Sequence, residues 1–119
     1  MAADGGWQVV FYERADGTSP VREYVDRLSA DDAARVTHDL LLLAELGLRL
    51  GAPYVRHVAG PIGEFRTRGR VQHRVLYAAV EGRRFVLLHA FAKKAQATPR
   101  REIATAEARL RDFLHQERM

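Results

Sequence analysis

Residues 62–91 read IGEFRTRGRVQHRVLYAAVEGRRFVLLHAF, and the fold turns on how this stretch is divided. Ile62 to Arg68, Val71 to Val80 and Arg84 to Phe91 are rich in β-branched and aromatic residues with period-two alternation, the pattern of strands. Gly69-Arg70 and Glu81-Gly82-Arg83 interrupt them with turn chemistry. Three strands joined by two short turns make a β-meander. Upstream, Tyr54 to Ala59 reads as a short strand or extended segment. Further back, Val36, Leu40, Leu43 and Leu46 share one helical face. Ser29 stands as its cap, Asp31 and Asp32 lie near its positive end, and Gly47 or Gly51 ends it. Ser19-Pro20 opens an earlier helix carrying Val21, Tyr24, Val25 and Leu28, so the two should form an αα-hairpin. Trp7 to Tyr12 is a first strand, closed by a turn containing Asp16-Gly17. Downstream, Thr98-Pro99 repeats the cap and first-position signal before Ile103, Ala106, Leu110 and Phe113. The expected order is β-α-α-β-β-β-α, an α+β domain with its helices packed on one face of a mostly antiparallel sheet and the other face partly open.

The 119 residues leave room for one domain, 1–119 with its core at about 7–115. A hydrophobic fraction of 47% supports a packed core and argues against disorder. Cysteine is absent, which excludes disulfides and thiolate metal sites and fits a reducing compartment. Met1 to Gly6 has no basic or apolar signal-peptide character, and the longest apolar run, Leu40 to Ala44, is too short to span a bilayer. The expected location is the cytoplasm, with no membrane association.

Net charge is +4, but it is unevenly spread. Residues 1–55 hold 5 Lys/Arg against 9 Asp/Glu, whereas residues 56–119 hold 14 against 6. Such asymmetry points the second half at a polyanion, at an acidic protein, or simply at solvent. Strand alternation sharpens this. Glu64, Arg66 and Arg68 share one sheet face, with Phe65 on the other; Arg74 alternates with His73, Val75 and Tyr77. Lys93 and Lys94 follow the last strand. Converging, these residues would form a cationic site, since arginine forks match phosphate oxygens and lysine adds a compact charge. Arg66 could equally pair with Glu64 or another acid, and His73 and His89 could be partly buried strand residues. His38 and His57 give no metal-ligand spacing with them. No HExxH, phosphate-cradling glycine loop, GxSxG or acidic pair occurs, so neither a metal nor a cofactor is expected. Cleavage of RNA by its own 2′-OH remains open to such residues. It needs a base, cations for the transition-state charge, and an acid, with Lys93, Lys94, His73 or His89 as candidates for proton transfer.

The blocks Ile62-Gly63-Glu64-Phe65-Arg66, His73-Arg74-Val75-Leu76-Tyr77, and Leu87-Leu88-His89-Ala90-Phe91-Ala92-Lys93-Lys94 followed by Thr98-Pro99-Arg100-Arg101-Glu102-Ile103 carry a resemblance. From Trp7 to Phe113 the chain resembles the RelE/ParE superfamily of type II toxin–antitoxin toxins, and within it the HigB-like, phage-derived branch. The resemblance implies a RelE-like fold and a ribosome-dependent mRNA endoribonuclease that inhibits translation. It also implies neutralisation, in a hetero-oligomer, by a cognate antitoxin that usually carries a helix-turn-helix domain. Arg66 and Arg74 match the family's phosphate-engaging strand positions, and Lys94, with Lys93, the basic position after the last strand. With His73 these form the expected catalytic set; Arg68, Arg70, Arg100 and Arg101 are the expected RNA-binding residues. Two departures stand out. His73 occupies a position often held by Tyr, and no Tyr occurs between Lys94 and Met119, so Tyr-based proton transfer is not carried over. The alternatives are a ParE-like toxin that binds a topoisomerase and a catalytically inactive antitoxin-binding homologue.

Overall fold

The computed structural model describes residues 6–94 and 96–119. The chain runs β1 (Gln8–Phe11), α1 (Pro20–Asp26), α2 (Ala30–Leu46), a single 3₁₀ turn (Gly47–Arg49), β2 (Val55–Ala59), β3 (Ile62–Arg68), β4 (Gln72–Val80), β5 (Arg84–Ala92) and α3 (Arg100–Glu117). The strands form one five-stranded sheet in the order β1-β5-β4-β3-β2. β2 to β5 pair antiparallel as a meander, and β1 lies parallel to β5 at the far edge. The α+β class and the element order are those expected from sequence. Among the described residues no helix is long and apolar enough to cross a membrane.

Local chemistry sets the boundaries. Ser19 and Ser29 each accept, through the side-chain oxygen, a backbone N–H three residues on, from Arg22 and Asp32. Each thereby satisfies one orphan donor of a helix start. α2 stops at Gly47, whose φ of 59° suits glycine; a Cβ there would also lie 2.4 Å from the Trp7 ring. The cap expected at Thr98 is not formed. Pro99 holds the cap position, its carbonyl accepting from Glu102 and Ile103, and the Thr98 hydroxyl turns inward to another partner.

The arrangement of helices corrects one expectation. α1 and α2 cover one face of the sheet, packing Val21, Val36, Leu40, Leu43 and Ala44 on Val9, Phe65, Val75, Phe85 and Leu87. α3 covers part of the opposite face, packing Ala106, Leu110 and Phe113 on Ile62, Leu76, Ala78, Val86 and Leu88. Helices therefore lie on both faces, and the second face is open only beyond α3. The reason is visible in β4, where Val75 and Tyr77 point one way while Leu76 and Ala78 point the other. A strand apolar on both sides must be covered on both sides.

The β4–β5 ladder contains a bulge. Leu76 pairs with His89, but Tyr77 pairs with Leu87, leaving Leu88 extra. Beyond the bulge the alternation of β5 resets, so His89 and Phe91 face the α3 side and Ala90 the α1–α2 side. β1 pairs only as far as Leu87, so from His89 onward β5 has no strand beside its outer edge among the described residues.

Candidate functional site

On the α3 side of the sheet, Glu64 from β3 is completely buried. Its Oε1 accepts from Arg56 Nε at 3.2 Å and Arg66 Nε at 3.1 Å. Its Oε2 accepts from Arg74 Nη1 at 3.4 Å and from the Thr98 hydroxyl. Arg56 Nη2 reaches Thr98 Oγ1 at 3.3 Å, closing the ring of contacts. All four acceptor positions of a carboxylate are thus in use. Burial works to raise the Glu64 pKa. The Thr98 and Arg66 hydrogen bonds and the charges of Arg74 and Arg56 outweigh it, so the group titrates below its ordinary range and is ionised.

Three guanidinium groups surround one carboxylate, so the cluster carries surplus positive charge. The strand register explains the grouping: Arg56 sits opposite Glu64, and Arg66 sits opposite Arg74. Arg74 is 2% exposed, held by Glu64, by Gln72 Oε1 at 3.3 Å and by the Gln96 carbonyl at 3.3 Å. Burial lowers its pKa, with Arg66 and Arg56 acting in the same direction and Glu64 opposing. Arginine starts high enough to remain a cation. Arg66 keeps 28% of its side chain exposed and spends only Nε on Glu64; its two terminal nitrogens make no hydrogen bond among the described residues. Those nitrogens are the outward donors of the cluster.

Two clefts flank this end of the sheet. The larger, about 470 Å³, is lined by Arg35, Tyr54, Arg66, Arg68, Gln72 and Lys93, with Asp39 and Thr67 at its floor. The smaller, about 270 Å³, includes Tyr24, Arg74, Phe91, Lys94 and Arg101. Lys93 and Lys94 point into different clefts because successive side chains of an extended chain project to opposite sides. The Arg74–Gln72 hydrogen bond links the two, Gln72 lining one cleft and Arg74 the other. Such an arrangement has the chemistry to hold a polyanion, with guanidinium forks for phosphate oxygens and Tyr54 and Phe91 as rings beside it.

The expected site residues divide accordingly. Arg66, Arg68 and Lys93 line the first cleft; Arg74, Lys94 and Arg101 line the second. Arg70 and Arg100 are exposed but line neither. His73 does not stand free in either cleft, so it cannot meet a substrate directly as its expected catalytic place required. It faces the α1–α2 side and is 1% exposed, and both ring nitrogens are engaged, Nε2 with Asp32 Oδ2 at 2.8 Å and Nδ1 with the Tyr24 hydroxyl at 2.7 Å. His89 lines neither cleft; its Nε2 meets Glu102 at 3.0 Å and its Nδ1 meets Arg109 Nη1 at 3.1 Å. Arg109 also donates to the carbonyl of Leu88 at the bulge.

Arg35, Arg56, Tyr54, Thr98 and Tyr24 were missed by sequence reasoning. Arg56 had a signal, since a basic residue opposite a buried acid in a neighbouring strand is a legible pairing. Arg35 and Tyr24 reach the site only through the packing of α1 and α2, which their local sequence does not specify.

A five-stranded, mostly antiparallel sheet flanked on both faces by helices, with a basic end built around Arg66 and Arg74, is consistent with a RelE-like fold. A family model for phage-derived Gp49-like proteins (DUF891) matches residues 23–111, three-quarters of the chain. The chain belongs to this family of RelE/HigB-like, phage-derived toxins, and membership implies an antitoxin partner. A comparison with curated proteins gave no match.

Proposed function

We propose that this protein is the toxin of a type II toxin–antitoxin pair and acts in the cytoplasm as a metal-independent endoribonuclease on mRNA engaged by the ribosome. The observation that carries the reading is the cationic surplus around Glu64. Three arginines converge on one buried carboxylate, and the outward nitrogens of Arg66 meet Arg68 and Lys93 in one cleft. Preorganised guanidinium donors stabilise charge developing on a phosphorane-like transition state without reorganising during the reaction. Glu64 sets the geometry by holding Nε of Arg66, which leaves the two terminal nitrogens of that guanidinium as outward donors. Arg68, Lys93, Lys94 and Arg101 extend the positive surface along the RNA backbone, and Tyr54 offers a ring on which a base can stack. A cognate antitoxin, of helix-turn-helix type by the family resemblance, would neutralise this surface in a hetero-oligomer.

The test is inducible expression of the chain alone, with 5′-end mapping of cellular mRNA beside the Arg66→Ala variant. Growth arrest with cuts inside translated frames, both lost in the variant, is the expected result. Arrest with intact mRNA would instead indicate a topoisomerase-directed toxin of the same fold. Absence of arrest would indicate a binding-only homologue.

A further inference from the structure

Resting on that reading, we infer that Tyr24 supplies the proton transfer of RNA cleavage, relayed through His73 and Asp32. The geometry is a chain of three groups running from a buried carboxylate to a cleft. Asp32, in the first turn of α2, holds both carboxylate oxygens against the backbone N–H of Arg70, at 3.0 and 3.2 Å. Its Oδ2 also meets His73 Nε2 at 2.8 Å. Gly69 makes this approach possible, since a Cβ there would lie 2.3 Å from Asp32 Oδ1. The hydrogen bonds from His73 and Arg70 keep the Asp32 pKa below its ordinary value, so the group is an ionised acceptor. Facing that acceptor, His73 Nε2 is the ring nitrogen that donates. Nδ1 is left as the lone pair, and the Tyr24 hydroxyl, 2.7 Å away, donates to it.

A carboxylate orienting an imidazole that accepts from a hydroxyl is the logic of a catalytic triad, with a phenol in the place of the usual alcohol. Tyr24 stands where such a group can be used. It is half-buried and lines the smaller cleft with Arg74, Lys94 and Arg101. Burial, with the Asp32 charge adding to it, raises the Tyr24 pKa, so the phenol stays protonated at neutral pH and acts as a relay rather than a standing base.

The step balances. The ribose 2′-OH gives its proton to the Tyr24 oxygen while the Tyr24 proton passes to His73 Nδ1, and the resulting imidazolium is stabilised by Asp32. The 2′-oxygen bonds to phosphorus and the P–O5′ bond breaks, leaving a 2′,3′-cyclic phosphate. The departing 5′-oxygen takes a proton from the Lys94 ammonium in the same cleft. His73 and Lys94 then return to their starting states by exchange with water.

The experiment measures single-turnover cleavage of an mRNA on programmed ribosomes by the wild type, Tyr24→Phe and Asp32→Asn, with binding of the same RNA carrying 2′-O-methyl groups. Tyr24→Phe should lower kcat on the order of 10²–10⁴-fold, the usual worth of positioned acid–base catalysis, with KM and binding unchanged. Asp32→Asn keeps an oxygen facing His73 and should lower kcat in the same way. If Tyr24→Phe does not fold, Asp32→Asn alone decides. Wild-type kcat in a folded variant, or equal losses of binding and kcat, would overturn the relay while leaving the ribonuclease reading intact. A wild type that cuts no RNA would overturn both.

Discussion

The two faces of the sheet solve the same problem in different ways. Both bury carboxylates against β3 and β4. On the α3 side, Glu64 is surrounded by three guanidinium groups and the cluster holds more positive than negative charge. On the α1–α2 side, Asp32 and Asp39 are served by a backbone N–H, by His73, by His38 and by the Thr67 hydroxyl, with no arginine side chain bonded to either among the described residues. On the proposed function, the first arrangement meets a further anion. The second fixes hydrogen positions and ties α2 to the β3–β4 hairpin. By the alternation of its side chains, one sheet therefore carries an arginine cluster on one face and a carboxylate–imidazole–phenol chain on the other.

The largest expected effect breaks the charged face. Glu64→Ala leaves buried Arg74, half-buried Arg66 and exposed Arg56 without their common counter-ion and should destabilise the fold by about 3–5 kcal/mol, read from urea denaturation. A change below about 1 kcal/mol would mean that the arginines are already solvated there. His73→Phe on the other face should cost less, about 1–3 kcal/mol. A somewhat larger ring takes the place of the imidazole and Asp32 retains the Arg70 N–H, while the Tyr24 hydroxyl and one side of Asp32 lose their partner.

The third prediction concerns acid. The folded-state pKa of Glu64 is depressed, so its stabilising contribution is complete above the unfolded value of about 4.3 and is lost as pH falls through the folded value. Asp32 contributes with the same sign. Glu64→Gln should flatten the decline of the urea midpoint between neutral pH and about pH 3 without abolishing it. An equally steep decline in the variant would remove Glu64 from the acid response. The smallest effect is expected at Arg68, exposed at the end of β3. Arg68→Ala should leave stability within about 0.5 kcal/mol and reduce the salt slope of RNA binding by about one counter-ion.

Much of this was legible in residues 62–91. β3 has the bounds expected of it, and β4 and β5 differ by one residue at one end each, because glycine turns and strict alternation mark them. The parallel pairing of β1 with β5 was not legible, since Gln8 and Arg84 meet only through the tertiary fold. Nor was the placement of α3, because an amphipathic helix declares which of its sides is buried but not which sheet face receives it. The apolar residues on both faces of β4 were the available clue. For the site, alternation placed Arg66 and Arg74 together and left the Glu64 pairing open. It set His73 on the opposite face of β4 from Arg74 but could not show that Asp32 and Tyr24, from the first two helices, would engage both its nitrogens. Thr98 misled for a physical reason: its hydroxyl found a buried carboxylate before it found a helix N–H.

On the proposed function, the positive surplus around Glu64 is a phosphate site, and Arg66 is its outward half. The most direct measurement compares wild type with Arg66→Ala for cleavage of an mRNA on programmed ribosomes, with urea denaturation of both alongside. Loss of a preorganised donor to the transition state should lower the cleavage rate on the order of 10²–10³-fold while stability changes by about 1 kcal/mol or less. An unchanged cleavage rate in a folded Arg66→Ala protein would contradict the account.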